Sequence, residues 1–172
     1  ATLALHQSVI ASFRKTAINF HYEFNIRHLA GVFQGLLLAQ PTQFSDPEKL
    51  VRLWIHESER IYGDRLVSPE HLLTFKAQIA DLVKKNFSKF NLNRFFSGAT
   101  PEAIIFCDFT QGINNDRFYD QMPNDKLEAH VGDALKEYND NNAVMDLVLF
   151  DDAMKHICKI TRIIRQPSGH AL

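Results

Sequence analysis

Twice in the first half of the chain, serine, proline and glutamate stand in that order just ahead of an apolar run. The stretches are "SDPEKLVRLW" from residue 45 and "SPEHLLTF" from residue 68. Proline is tolerated in the first turn of a helix, where its missing N–H has no partner to lose. Serine ahead of it can accept from the free N–H groups of that turn. A chain punctuated in this way starts helices at those points, and around them the apolar residues recur at steps of three and four.

Extending that reading predicts four helices in the first hundred residues. Residues 3–20 place Leu5, Val9, Phe13, Ala17 and Phe20 on one face before "HYEF" interrupts. Asn25 is the expected N-cap of a second helix that buries Ile26, Leu29, Ala30, Phe33, Leu36 and Leu37 and stops before "QPTQ". In the third, Ser45 and Glu48 have the spacing of a capping box with Pro47 in the first turn. Its stripe of Leu50, Leu53, Trp54 and Ile61 faces a core, leaving Arg52, Glu59 and Arg60 to water. The fourth starts at Ser68 and runs through Leu72, Leu73, Ile79, Leu82 and Val83 to Asn86. Short connections make this a compact helical domain.

Beyond it the composition changes. "FNLNRFFSGATPE" is turn-rich, "AIIFCDF" is a short β-prone run and "TQGINNDRFYDQMPND" reads as a loop. "KLEAHVGDALKEYN" and "DLVLFDDAMKHICKITRIIRQ" each predict a helix, the second with Ala153, Ile157, Ile160, Ile163 and Ile164 inside. The fold class is therefore mainly α, with a boundary that separates 1–100 from 101–172. No internal repeat or low-complexity segment is visible.

Bulk properties narrow the function classes. Fourteen phenylalanines in 172 residues imply a substantial core. Nineteen basic against twenty acidic residues lack the positive bias of a nucleic-acid binder. No apolar run reaches the length of a membrane span. "ATLALHQS" has no charged region ahead of a hydrophobic one and is not a signal peptide. Cys107 and Cys158 are too few for a disulfide framework and read as reduced, buried thiols of a cytosolic protein. Both ends read as cuts in a longer chain.

Catalytic motifs are scarce. "HESER" at 56–60 begins like the zinc-binding H-E-x-x-H, but Arg60 replaces the second histidine, and arginine cannot ligate zinc. A surface helix with Glu57, Glu59 and Arg60 in ion pairs is the simpler reading. The eight histidines form no ligand pattern, so no metal is expected. Asp108 with Asp151 and Asp152 could form an acid pair, although the latter two suit a helix start in any case. There is no G-x-S-x-G, Gly-rich loop or Walker A motif.

Arg27 stands apart, because it places a cation in a first helical turn, where partial positive charge already resides. Gly31, four residues on, leaves room for a ligand to approach, and a guanidinium suits phosphate. On spacing alone a salt bridge with Glu23 or an acid from another helix is the favoured explanation.

"FHYEFNIRHLAGVFQGLL", "LVRLWIHESERIYGDRL" and "NAVMDLVLFDDAMKHICKITRIIRQPSGHAL" together resemble the heavy chains of dynein, the AAA+ microtubule motor. "HYEFNIRHL" is nearer the axonemal chains, those of the outer arm in particular. The resemblance covers nearly the whole chain. It implies that 1–100 is the small helical lid of the third AAA+ module. Residues 101–172 would then open the α/β large subdomain of the fourth, stopping before its phosphate loop. Arg27 would be the second-sensor arginine, aimed at the phosphates of its own module. Leu147, Val148, Leu149 and Phe150 would line the adenine pocket of the next, whose phosphate loop would follow Leu172 on a strand that "GHAL" begins.

ATP or ADP with Mg²⁺ is then the implied cofactor of the parent protein, and none is expected to be held tightly by this stretch. The implied partners are the neighbouring AAA+ modules and, through the parent, microtubules and the dynein intermediate and light chains. The implied location is the axoneme of a cilium or flagellum. Without a Walker A loop the stretch by itself is not expected to hydrolyse ATP. His28 stands where many relatives carry an acid, and "SFRKTA" lacks a proline often found there. The competing reading is a non-catalytic helical interaction module. In it Arg27 and the Glu57 to Arg60 face form partner contacts, and it requires an exposed apolar patch, such as Phe95 and Phe96 or the "AIIF" run.

Overall fold

The structure is a computed structural model that describes residues 1–96, 104–112, 118–166 and 169. The chain divides into two compact units, Ala1–Ile104 and Ile105–Leu172.

The first unit contains α1 (Thr2–Ser12), α2 (Ile26–Leu36), α3 (Pro47–Ile61) and α4 (Pro69–Asn86). Short 3₁₀ turns at Gly63–Arg65 and Asn93–Phe95 follow α3 and α4. Each helix begins for a local reason. Asn25 caps α2, its side chain accepting from the Arg27 amide at 3.0 Å. Asp46, not Ser45, caps α3: its Oδ1 accepts from the Glu48 amide at 2.9 Å. Pro47 takes the first helical position, which moves the cap to the residue before it and removes the expected Ser45–Glu48 box. Ser68 occupies the N-cap of α4, but its side chain makes no capping bond.

Helix α1 is shorter than its periodicity suggests. Leu5, Val9 and Phe13 are buried as predicted, but the helix ends at Ser12, and Ala17 and Phe20 are exposed. The Thr16 hydroxyl accepts from the Asn19 amide at 3.1 Å, a local turn that competes with further helix.

The core of this unit is aromatic. Tyr22, Phe24, Trp54, Tyr62 and Phe75 are buried with Leu53, Ile55 and Ile79. His6 Nδ1 and the Tyr62 hydroxyl share a hydrogen bond of 2.9 Å that ties α1 to the end of α3. Trp54 Nε1 donates to Thr2 Oγ1 at 3.0 Å. Two expected core leucines, Leu50 and Leu73, point outward, while Val51 and Phe75 take the inward positions.

Helix α2 shows the largest difference from expectation. Val32 and Gly35 are buried and Leu29 and Leu36 half-buried, whereas Ile26, Ala30, Phe33 and Leu37 are exposed. The helix is apolar around most of its circumference, so periodicity alone cannot choose a face. Two glycines choose it. A Cβ at Gly31 would lie 2.9 Å from Ile61 Cδ1, and one at Gly35 would overlap the Glu57 carboxylate. Their absence lets α2 settle closely on α3.

The second unit contains β1 (Phe106–Cys107), β2 (Asp120–Gln121), α5 (Asn124–Asn141) and α6 (Asp151–Arg165). The strands pair antiparallel, Phe106 opposite Gln121 and Cys107 opposite Asp120. One buried cluster joins them to the helices: Ile105, Cys107, Phe109, Met122, Leu127, Val131, Met154 and Cys158. On α6 the inward residues are Met154, Cys158 and Arg162. Ala153, Ile157 and Ile163 are half-buried, and Ile160 and Ile164 are exposed, contrary to the predicted stripe. The strand expected to start at "GHAL" lies outside the described residues, Gly169 apart.

Candidate functional site

The first turn of α2 is built by its cap. The Asn25 side chain accepts from the start of the helix, and the Asn25 amide donates to His28 Nδ1 at 3.0 Å, closing a capping box. Arg27 lies inside this box. Its own amide is one of the bonded groups, and its side chain is exposed.

The favoured electrostatic explanation for Arg27 is not met. Glu23 pairs with Lys15 instead, Nζ to Oε2 at 3.3 Å. Among the described residues the Arg27 guanidinium makes no hydrogen bond or ion pair. An unpaired cation at the positive end of a helix is unfavourable unless an anion meets it. The free space attributed to Gly31 is absent, because the Ile61 side chain fills it. Room for a ligand exists at the exposed tip of Arg27 and not over Gly31.

"HESER" corrects part of the sequence reading. The Glu57–Arg60 ion pair forms, with Arg60 Nε and the second guanidinium nitrogen both 3.0 Å from Oε2. Glu57 is nevertheless fully buried and its partner largely so, because the pair sits under α2 at Gly35. A carboxylate in that position requires its cation. Arg52 is also mostly covered and reaches Asp46 at 3.5 Å.

In the second unit Asp146 to Phe150 form a non-helical approach to α6. Asn139 fixes its start through two bonds to the Met145 backbone, at 3.1 Å and 2.8 Å. Leu147, Val148 and Phe150 are exposed, at 51%, 80% and 60%, while Leu149 is anchored on the buried cluster. The four residues are contiguous, but they present three apolar side chains to solvent and one to the core. Asp108 is bonded to Arg165, and Asp152 to Lys155 at 3.2 Å, so each of these two carboxylates is held by a cation.

Among the described residues no group of three or more His, Cys, Asp or Glu side chains is placed to hold a metal ion. Among them, too, no helix is long and apolar enough to cross a membrane. Phe95, Ile104, Ile105 and Phe106 are buried and Phe96 is half-buried, so the described residues of these two stretches do not form the exposed patch that the interaction-module reading suggested there.

Comparison with known proteins bears on both units. The AAA+ lid domain family matches residues 1–96, and the P-loop containing dynein motor region D4 matches residues 145–172. The dynein alpha chain of the flagellar outer arm of Chlamydomonas reinhardtii is 51% identical over the full chain. Dynein axonemal heavy chain 17 of Mus musculus is 46% identical and the ciliary dynein beta chain of Tripneustes gratilla 43%, again across all of it. The chain spans about 4% of the length of each of these relatives. With an AAA+ lid over its first 96 residues and such identity throughout, the chain belongs to the AAA+ family of axonemal dynein heavy chains.

Proposed function

We propose that this chain is the lid and module junction of an ATP-driven, minus-end-directed microtubule motor, in which Arg27 senses nucleotide. Residues 1–100 act as the lid of the third AAA+ module, and 101–172 open the fourth. Arg27 meets the phosphates of ATP or ADP bound to its own module. Leu147, Val148, Leu149 and Phe150 supply an apolar wall for the adenine of the next, where a flat base needs shape more than charge. Mg²⁺ accompanies the nucleotide in the complete heavy chain, and none of the residues assigned here is its ligand.

One observation carries the reading: a capped helix start holds an exposed arginine whose charge has no counter-ion among the described residues. A phosphate would supply it through bidentate, charge-assisted bonds. Bound anion would then hold α2, and through its close seat on α3 the whole lid, in one position. A rigid body that follows nucleotide in this way passes the state of one module to its neighbour. The axoneme of a cilium or flagellum is the corresponding location. Microtubules and the dynein intermediate and light chains are partners of the complete motor.

Replacing Arg27 with Ala in the complete heavy chain tests this. Loss of a charge-assisted bond predicts about tenfold or more weaker nucleotide binding at the third module, read with a fluorescent ATP analogue. Unchanged affinity and unchanged nucleotide response would refute the sensor role. The parent sequence just past Leu172 is expected to carry G-x-x-x-x-G-K-[ST].

A further inference from the structure

We propose that His28 is a positioning residue for Arg27, holding the first turn of α2 in place only while its imidazole is neutral. The inference rests on the sensor reading of Arg27 and extends it to a second residue. The Asn25 amide can only donate, so the 3.0 Å contact with His28 Nδ1 exists only when that nitrogen carries no proton. The same asparagine holds the Arg27 amide at 3.0 Å through its side chain. One residue therefore links the His28 ring to the Arg27 backbone, and loosening either bond frees the turn that aims the guanidinium.

The ring is seated from several elements. It stands edge-on to Phe24 at 5.8 Å between centroids and is tilted against buried Tyr62 at 6.4 Å. Four charged or titratable groups face it besides Tyr62 and neighbouring Arg27: Arg65 after α3, His6 on α1, Glu23 before α2, and the helix N-terminus itself. Burial lowers the His28 pKa and Arg65 lowers it further; a hydrogen bond with the Asn25 backbone raises it, His6 lowers it and Glu23 raises it, and the net shift is downward. His28 is therefore neutral at pH 7, and acid below the ordinary histidine value of 6.5 opens the box. A glutamate at this position could close the same box without titrating near neutrality. Histidine makes the turn acid-sensitive.

Two variants and two readouts test the proposal. In this chain, hydrogen exchange of the Asn25 amide, corrected for its intrinsic rate, should lose about fivefold protection as His28 protonates. His28→Ala should show that loss at every pH, and His28→Glu should restore protection and remove the dependence between pH 7.5 and pH 5.5 (above about 4.3, where glutamate protonates). In the complete heavy chain, His28→Ala should weaken nucleotide binding at the third module about fivefold, with His28→Glu restoring it. If His28→Glu keeps the acid sensitivity, or if His28→Ala leaves affinity unchanged while Arg27→Ala lowers it, the positioning role is wrong. Failure of the sensor reading appears separately, as no effect in the Arg27→Ala arm.

Discussion

Gly35 and Gly132 both stand inside helices, and their surroundings give them opposite roles. A Cβ at Gly35 would overlap the buried Glu57 carboxylate, which is held by Arg60 and has nowhere to retreat. Gly35→Ala should destabilise the chain by about 1–3 kcal/mol, the usual cost of overpacking. No atom lies within 4 Å of a Cβ at Gly132 in α5, so Gly132→Ala should be neutral or gain up to about 1 kcal/mol. Urea midpoints of the two variants separate these outcomes. Neither role is legible in the sequence, where both are simply helical glycines. Arg27 is different: a cation in a first turn is visible from the letters alone. That its expected partner Glu23 is taken by Lys15 is visible only in the fold.

At the scale of elements, helix starts were more legible than helix faces. Caps and prolines act over three or four residues, so local sequence contains the whole interaction. The exception at α3 is itself local. Asp46 carries the cap, so Asp46→Ala should cost about 1 kcal/mol, whereas Ser45→Ala should stay within about 0.5 kcal/mol. Thermal unfolding of the two variants checks the assignment, and equal losses would contradict it. Faces depend on what arrives from elsewhere. Helix α2 carries apolar side chains on nearly every side, and the choice of Val32 over Phe33 follows from Ile61 and Glu57 on α3. On α6 the sequence stripe of isoleucines is partly solvent-facing, because Met154 and Cys158 fill the cluster beside β1 instead.

For the whole molecule, two units with separate cores mean that each can be probed by its own buried reporter. In the second unit Cys107 and Cys158 lie together in one cluster, both almost fully covered. The Cys107 thiol gives its hydrogen to Cys158, and that bond and burial hold its pKa well above the usual thiol range. Thiolate is the reactive form, so iodoacetamide at pH 8 should alkylate Cys107 far more slowly in the native chain than in urea. Equal rates would mean that this core is open. The letters alone establish a mainly helical chain, where most helices begin, a cap at Asn25 and two buried cysteines, because those signals are local or compositional. Packing decides that α1 stops at Ser12, that Glu57 is sealed beneath Gly35, and that Arg27 has no counter-ion among the described residues. Each of these depends on side chains that meet only once the chain has folded.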